Sequence, residues 1–249
     1  MDLDLADRVA IVTGSARNIG RAIALRLAKA GARIVVTALQ SREAAQKVVD
    51  EIRAEGGDAI SVLADLRQPA QVSALVAATI EHFGRLDIVV NNAAVRREAN
   101  LATVSYEDWR DVLSVILDGS FLLTQAAIPY LKNSDCASVI NIGGMTAHLG
   151  APDRVSILTG KIGLVGLTRA FAHDLALYGI TANCVVPGLI NTVRGESASV
   201  ALYSGGKLPP IGRRGVPDDI ATLVHYLVGP GARYITGQTI HANGGGYMP

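Results

Sequence analysis

Cysteine is nearly absent: 249 residues carry two, Cys136 and Cys184. Both sit in apolar runs that read as buried strands, so they are expected to be small core residues rather than a disulfide framework. Net charge is nearly absent too. The 23 lysines and arginines against 22 aspartates and glutamates leave +1 at neutral pH, too little field to draw nucleic acid or an acidic surface. Long apolar runs are missing, and no stretch approaches the roughly 18 residues of a membrane span. Met1 to Arg8 hold three aspartates and neither the basic nor the apolar region of a secretory signal. Repeats, low-complexity tracts and linker-like shifts of composition are also absent. What remains is a chain with 49% hydrophobic and 18% charged residues, of a length that α/β folds often use for one unit. A single cytoplasmic domain over residues 1–249, with no metal site, is expected.

Short apolar runs alternate with amphipathic ones. Strands read as Val9–Val12, Arg33–Ala38, Ala59–Leu63, Leu86–Val90, Ser138–Ile142, Thr181–Val186 and Thr239–Ala242. Helices are expected over Asn18–Ala30, Ser41–Glu55, Pro69–Phe83, Tyr106–Leu131, Ser156–Tyr178 and Pro217–Leu227. Strands separated by helices form a parallel sheet with right-handed crossovers. Continuous apolar strands suit a sheet covered on both faces. The fold class is therefore α/β, a three-layer doubly wound sheet flanked by helices. Asn191 to Arg214 escapes the alternation. With Gly195, Gly205, Gly206, Pro209 and Pro210 it reads as an excursion, either a lid beside a binding site or a plain surface connection.

The first strand runs into Thr13-Gly-Ser-Ala-Arg-Asn-Ile-Gly20, which opens the first helix. Small residues there let the backbone approach a pyrophosphate, whose charge is met by free N–H groups at the helix start. Asn18 stands where glycine is common, and asparagine tolerates a left-handed backbone. This turn resembles the cofactor motif of the short-chain dehydrogenase/reductase family. Further matches follow in order along nearly the whole chain. Asp65-Leu66 resembles the family's adenine-contacting pair, and Asn91-Asn-Ala-Ala94 its Asn-Asn-Ala-Gly motif with Ala94 in place of glycine. Pro187-Gly188, Ile190 and Thr192 resemble the segment that grips the nicotinamide carboxamide. Tyr234-Ile-Thr-Gly-Gln238 and Gly244-Gly245 resemble the C-terminal signature. The resemblance implies a Rossmann-type sheet of about seven parallel strands, a homotetramer and a small-molecule substrate. It also implies a nicotinamide cofactor contacted by Gly14, Ser15, Arg17, Asn18, Ile19, Gly20, Ala38, Asp65, Leu66, Asn91, Ala93, Ile142, Lys161, Pro187, Gly188, Ile190 and Thr192.

An acidic residue after the second strand would hydrogen-bond the ribose diol of NAD and repel a 2′-phosphate. Thr37-Ala-Leu-Gln-Ser-Arg42 has no carboxylate there. Arg17 resembles the family's basic 2′-phosphate ligand, and Arg42 is placed to assist it. NADP is therefore expected over NAD.

Carbonyl reduction with nicotinamide needs a positioned carbonyl, donors to its oxygen and a proton source. The family supplies Asn, Ser, Tyr and Lys. Here its Tyr-x-x-x-Lys motif falls on Ile157-Leu-Thr-Gly-Lys161, its serine on Gly144 and its asparagine on Ile116. Only Lys161 remains, with an anchoring role on the ribose. Isoleucine has no proton to give and glycine no hydroxyl to hold an oxyanion. The departures imply either an oxidoreductase that reduces ordinary ketones very slowly, or a cofactor-binding protein without catalysis, such as a sensor or a structural partner of an active relative. A cofactor-independent lyase or isomerase is a weaker reading, because the cofactor turn is intact. His148, in an expected loop beyond Gly144, is the first candidate for a replacement acid. Asp153 and Tyr203 are weaker ones, the pair Arg96-Arg97 is placed to hold an anionic substrate or is simply solvated, and helical geometry turns Ser156 and Thr159 away from the direction of residue 157.

Overall fold

Seven short strands carry the architecture: β1 (Val9–Val12), β2 (Arg33–Ala38), β3 (Ala59–Leu63), β4 (Ile88–Asn91), β5 (Ser138–Ile142), β6 (Thr181–Pro187) and β7 (Thr239–Ala242). The computed structural model describes residues 4–193 and 208–249. All strand pairs are parallel, in the order β3-β2-β1-β4-β5-β6-β7. Every residue of β1, β4, β5 and β6 is buried. That burial explains why these strands show no polar alternation.

Helices cover both faces. On one side α1 (Asn18–Lys29), α2 (Arg42–Ala54) and α8 (Pro217–Val228) bury Ile23, Leu27, Val48, Ile52, Ile220 and Leu227 against the sheet. On the other, α3 (Pro69–Phe83), α5 (Gly119–Leu131) and α7 (Val155–Leu175) contribute Leu75, Phe83, Leu123, Leu131 and Leu175. Local signals set the ends. Pro69 opens α3 and Gly84 closes it at φ +76°, as the asymmetry of helix termini favours. Before α4 (Tyr106–Leu113), the Ser105 hydroxyl accepts the Asp108 N–H at 3.0 Å, a side-chain cap.

The departures from the sequence reading have physical causes. The helix expected over Tyr106–Leu131 is split into α4 and α5 by a five-residue π turn, Ser114–Asp118, which contains Ile116. Extra residues inserted in this way re-aim the side chains around them. The strand expected from Leu86 begins at Ile88, because Asp87 precedes it as a buried carboxylate. Asp87 accepts the Val9 N–H at 2.9 Å and two guanidinium N–H groups of Arg85 at 2.9 and 2.7 Å. Cys184 lies in β6 as read, buried, and burial pushes its thiol up to about 11. Cys136 does not lie in a strand; it precedes β5, half-buried. A short helix, α6 (Thr146–Leu149), occupies what reads as loop.

The expectation that no segment approaches a membrane span is corrected as well. Tyr106–Leu131 and Val155–Tyr178 are each long and apolar enough, by length and composition alone, to cross one. Their inner faces pack on the sheet, and apolar side chains such as Phe121 and Ile162 continue onto the open faces. Of the excursion at 191–214, residues 194–207, including Gly195, Tyr203, Gly205 and Gly206, lie outside the described residues. Pro209, Pro210 and Ile211 pack against the glycines of the C-terminal turn, with the Ile211 N–H donating to the Gly244 carbonyl at 3.1 Å.

Candidate cofactor and catalytic site

The strand order reverses between β1 and β4, and doubly wound sheets hold ligands in the crevice at the carboxyl ends beside such a switch. The turn Thr13–Gly20 sits there. Gly14 has φ +61° and Asn18 φ +53°, so two left-handed residues fold it tightly. A Cβ on Gly20 would lie 2.5 Å from the Gly14 carbonyl oxygen and 2.5 Å from Asn92 Nδ2. The turn can therefore pass this close only with glycine at position 20. α1 begins with no acidic side chain in its first turn and no side-chain cap. Its opening N–H groups thus remain available to an anion. These features fit the phosphates of a dinucleotide.

Several residues brace the turn rather than face a ligand. The Ser15 hydroxyl donates to the Val12 carbonyl at 2.6 Å and accepts the Thr37 N–H at 2.9 Å, and Ser15 is wholly buried. Its side chain joins the turn to β2, so any cofactor contact would come from its backbone. Thr13 Oγ1 accepts the N–H groups of Asn92 and Ala93 at 2.9 and 3.0 Å. Asn92 Nδ2 donates to the carbonyls of Thr13 and Gly14 at 2.8 and 3.2 Å. Sequence reasoning passed over Thr13 and Asn92, although both lie inside the motifs it singled out. Asn91 points into the core instead, donating to Asn141 at 2.9 Å and Thr124 at 3.2 Å.

At the end of β2, Ala38 is followed by exposed Leu39, Gln40, Ser41 and Arg42, with no carboxylate. Arg17 is exposed at the start of α1, and neither Arg17 nor Arg42 makes an ion pair among the described residues. Asp65 is engaged by Arg67, whose Nε and a terminal nitrogen donate to its two oxygens at 2.8 and 2.7 Å. That pairing holds the Asp65 carboxyl below the usual range. Leu66 rests on Gly119 at the start of α5, where a Cβ would come within 2.8 Å.

On the nicotinamide side, Gly188 donates to the Ala242 carbonyl at 3.0 Å, and Ile190 bridges Gly215. Thr192 is half-buried next to them. The Lys161 ammonium donates to the Ile142 carbonyl at the end of β5. Its burial lowers its pKa to about 8, and Arg96 adds a second nearby positive charge. Position 144 opens toward this lysine: among the described residues beyond its chain neighbours, a Cβ there would have only Lys161 Cγ within 4 Å, at 3.8 Å. Ile157 and Ile116 meet in one apolar cluster with Val112 and Leu164. Gly160 makes room for that contact, a Cβ there falling 3.0 Å from Ile116 Cδ1.

His148 is not in a loop but on α6, where its ring packs 4.7 Å from that of His241 and 5.5 Å from that of Tyr247. Burial lowers its pKa, which disfavours the protonated form that a general acid needs. Arg97 is committed to Asp108 and Asp111, and Asp153 accepts from Asn100 at 3.1 Å. Among the described residues no group of three His, Cys, Asp or Glu side chains is placed to hold a metal ion.

A parallel sheet with a tight glycine turn at its switch point is the arrangement of dinucleotide-binding α/β proteins. A family model described as enoyl-(acyl carrier protein) reductase matches residues 14–247. The chain is 38% identical over 240 residues to the 3-oxoacyl-[acyl-carrier-protein] reductase FabG of Staphylococcus aureus, covering 96% of this chain and 98% of that one. Among solved structures, a dehydrogenase/reductase from Sinorhizobium meliloti superposes with a TM-score of 0.93 at 34% identity, covering 99% and 98% of the two chains. A short-chain dehydrogenase from Burkholderia cenocepacia in complex with NADP gives 0.91 at 35% identity, covering 98% and 99%. The chain belongs to the short-chain dehydrogenase/reductase family.

The lowered pKa of Lys161 makes a prediction about binding. The protonated amine can donate to ribose hydroxyls and attract phosphate; the neutral amine attracts far less. Cofactor affinity should therefore hold below pH 8 and decline as pH rises through about 8. Fluorescence titration of NADPH across pH 6.5 to 9.5 (roughly the range that brackets this titration) checks it. In Lys161→Met the affinity should be lower and flat with pH.

Proposed function

We propose that this protein is an NADP(H)-binding oxidoreductase whose proton-handling site has been rebuilt in apolar side chains. Its substrate would be a carbonyl or hydroxyl compound that needs little acid help. One observation carries this reading: Ile116 and Ile157 share a single apolar cluster, while position 144 carries no side chain and Lys161 is buried. By resemblance those three positions hold the family's Asn, Tyr and Ser. Their joint replacement is coherent, because a polar Asn facing an isoleucine would be buried without a partner.

The bound cofactor would supply the hydride. Arg17, Gly14, Asn18, Ile19 and Gly20 would hold its phosphates, and Lys161 its nicotinamide ribose. NADP is favoured because Arg17 and Arg42 make no ion pair among the described residues and no carboxylate ends β2; the NADP complex of the Burkholderia relative supports the same choice. Arg17→Ala should weaken NADPH binding about 10- to 100-fold, the worth of a charge-assisted contact, and leave NADH binding unchanged. A titration with both nucleotides reads this directly.

A homotetramer is proposed on the same footing. α5 and α7 each expose an apolar side chain on the outer side, Phe121 and Ile162, of the kind that a partner subunit would cover. Cytoplasmic residence fits two unpaired cysteines. The second reading is a non-catalytic cofactor binder or structural partner of an active relative, favoured by the simultaneous loss of three reactive groups. Fluorescence titration with NADPH and NADH comes first, and binding of neither removes both readings. NADPH oxidation across aldehydes, diketones and quinones then separates enzyme from non-enzyme.

A further inference from the structure

Asn18 does more than tolerate its left-handed backbone. Its Nδ2 donates to the Val193 carbonyl at 2.8 Å, and its Oδ1 accepts the Val193 N–H at 2.9 Å. One side-chain amide thus copies a peptide group and pairs with both polar atoms of a residue 175 positions away. A left-handed residue other than glycine carries a conformational cost, which these two bonds offset.

Val193 belongs to the segment that leaves β6. The root of that segment is fixed. Gly188 donates to Ala242 at 3.0 Å, Gly215 to Leu189 at 2.9 Å and Asn191 to Gly215 at 2.8 Å. Its far end is fixed by Asn18. Given the strand order, a chain running from the end of β6 to the start of α1 passes the carboxyl ends of β5 and β4. It therefore traverses the edge where this fold receives its ligand. Half-buried Thr192 lies between the two anchorages.

We propose that Asn18 clasps Val193 beside the phosphates of the bound dinucleotide and sets how long the cofactor stays. The proposal rests on the cofactor reading above. Release of the pyrophosphate from the turn requires the 189–193 segment to swing off α1, and that breaks both bonds. Entry also proceeds through the unclasped form, so the clasp slows arrival as well as departure and sets the rate of exchange.

Asn18→Gly tests this in the full-length protein, because glycine keeps the left-handed backbone and removes only the amide. NADPH-loaded protein is mixed with excess NADP⁺ in a stopped-flow fluorimeter. Dissociation should be about tenfold faster, equivalent to about 1.4 kcal/mol, and association, which passes through the same unclasped form, should also be faster. Val193→Pro removes the N–H from the opposite side without touching the turn. It should also speed release, and it should add little in the Asn18→Gly background, because both changes break one contact. Hydrogen exchange without cofactor gives an independent readout: the Val193 amide should be protected in the natural protein and open in Asn18→Gly. Unchanged release from Asn18→Gly, full additivity of the two changes, or a fast-exchanging Val193 amide in the natural protein would each overturn the clasp while leaving cofactor binding intact. Failure of the natural protein to bind either nucleotide would instead sink the cofactor reading and the clasp with it.

Discussion

Ile157→Tyr combined with Gly144→Ser should raise NADPH-dependent reduction of a simple ketone by about 10²- to 10⁴-fold, the usual worth of a general acid. The phenol would stand one helical turn before Lys161, whose positive charge would lower its pKa and ready its proton. The serine would give the substrate oxygen a donor, a group whose removal elsewhere costs about 10²- to 10³-fold. The two gains will not multiply, since groups acting on one oxygen are strongly non-additive. The site has room for the serine, because among the described residues beyond its chain neighbours the nearest atom to its Cβ is Lys161 Cγ at 3.8 Å. The tyrosine is harder to seat. Ile157 is 8% exposed and packs on Ile116, so enlarging it should cost about 1–3 kcal/mol of stability. Initial rates on a ketone panel, taken with a melting curve, check both parts. A folded, cofactor-binding double variant with no gain in rate would mean that the pocket above the nicotinamide serves another task.

The fold was legible because burial and strand identity coincide. Residues such as Ala10, Val89 and Val139 are fully buried, so the apolar runs that mark β1, β4 and β5 in the sequence are the strands themselves. Legibility failed where hydrogen bonding, not hydrophobicity, decides. Nothing in the run Leu86–Val90 announces that Asp87 is tied to Val9 and Arg85 before pairing begins. Nothing periodic announces the π turn at Ser114–Asp118, since one added residue leaves an apolar helix apolar. The site divides in the same way. Residue types pointed to the turn Thr13–Gly20 and showed isoleucine at 116 and 157 and glycine at 144. They did not reveal that Ser15 spends its hydroxyl on Val12 and Thr37, or that Asn92 bridges Thr13 and Gly14. His148 was read as a candidate acid from spacing alone, whereas its ring lies against His241 and Tyr247. A side chain's chemistry can be read from the sequence; the partner that uses it up cannot.

Gly20→Ala should lower NADPH affinity by about a hundredfold or more, out of proportion to the single methyl group added. The methyl would lie 2.5 Å from the Gly14 carbonyl oxygen, 2.5 Å from Asn92 Nδ2 and 2.9 Å from Ser15 Cα. Two of those atoms are backbone of the turn itself and cannot rotate away. The third is no easier to move, because Asn92 Nδ2 is held by the carbonyls of Thr13 and Gly14. Relief must come from opening the turn or tilting α1, and either one draws the helix's first N–H groups away from the phosphates they would meet. Overpacking of this kind costs about 1–3 kcal/mol; at about 2–4 °C per kcal/mol for a chain of this size, the melting temperature should fall by several degrees. The two effects have different readouts. Isothermal titration at 15–20 °C (roughly where such domains are most stable) isolates the loss of binding from the loss of fold. Near-normal affinity in a folded Gly20→Ala protein would show that the turn yields without cost, and that the dinucleotide does not depend on the close approach of Gly20 to Gly14.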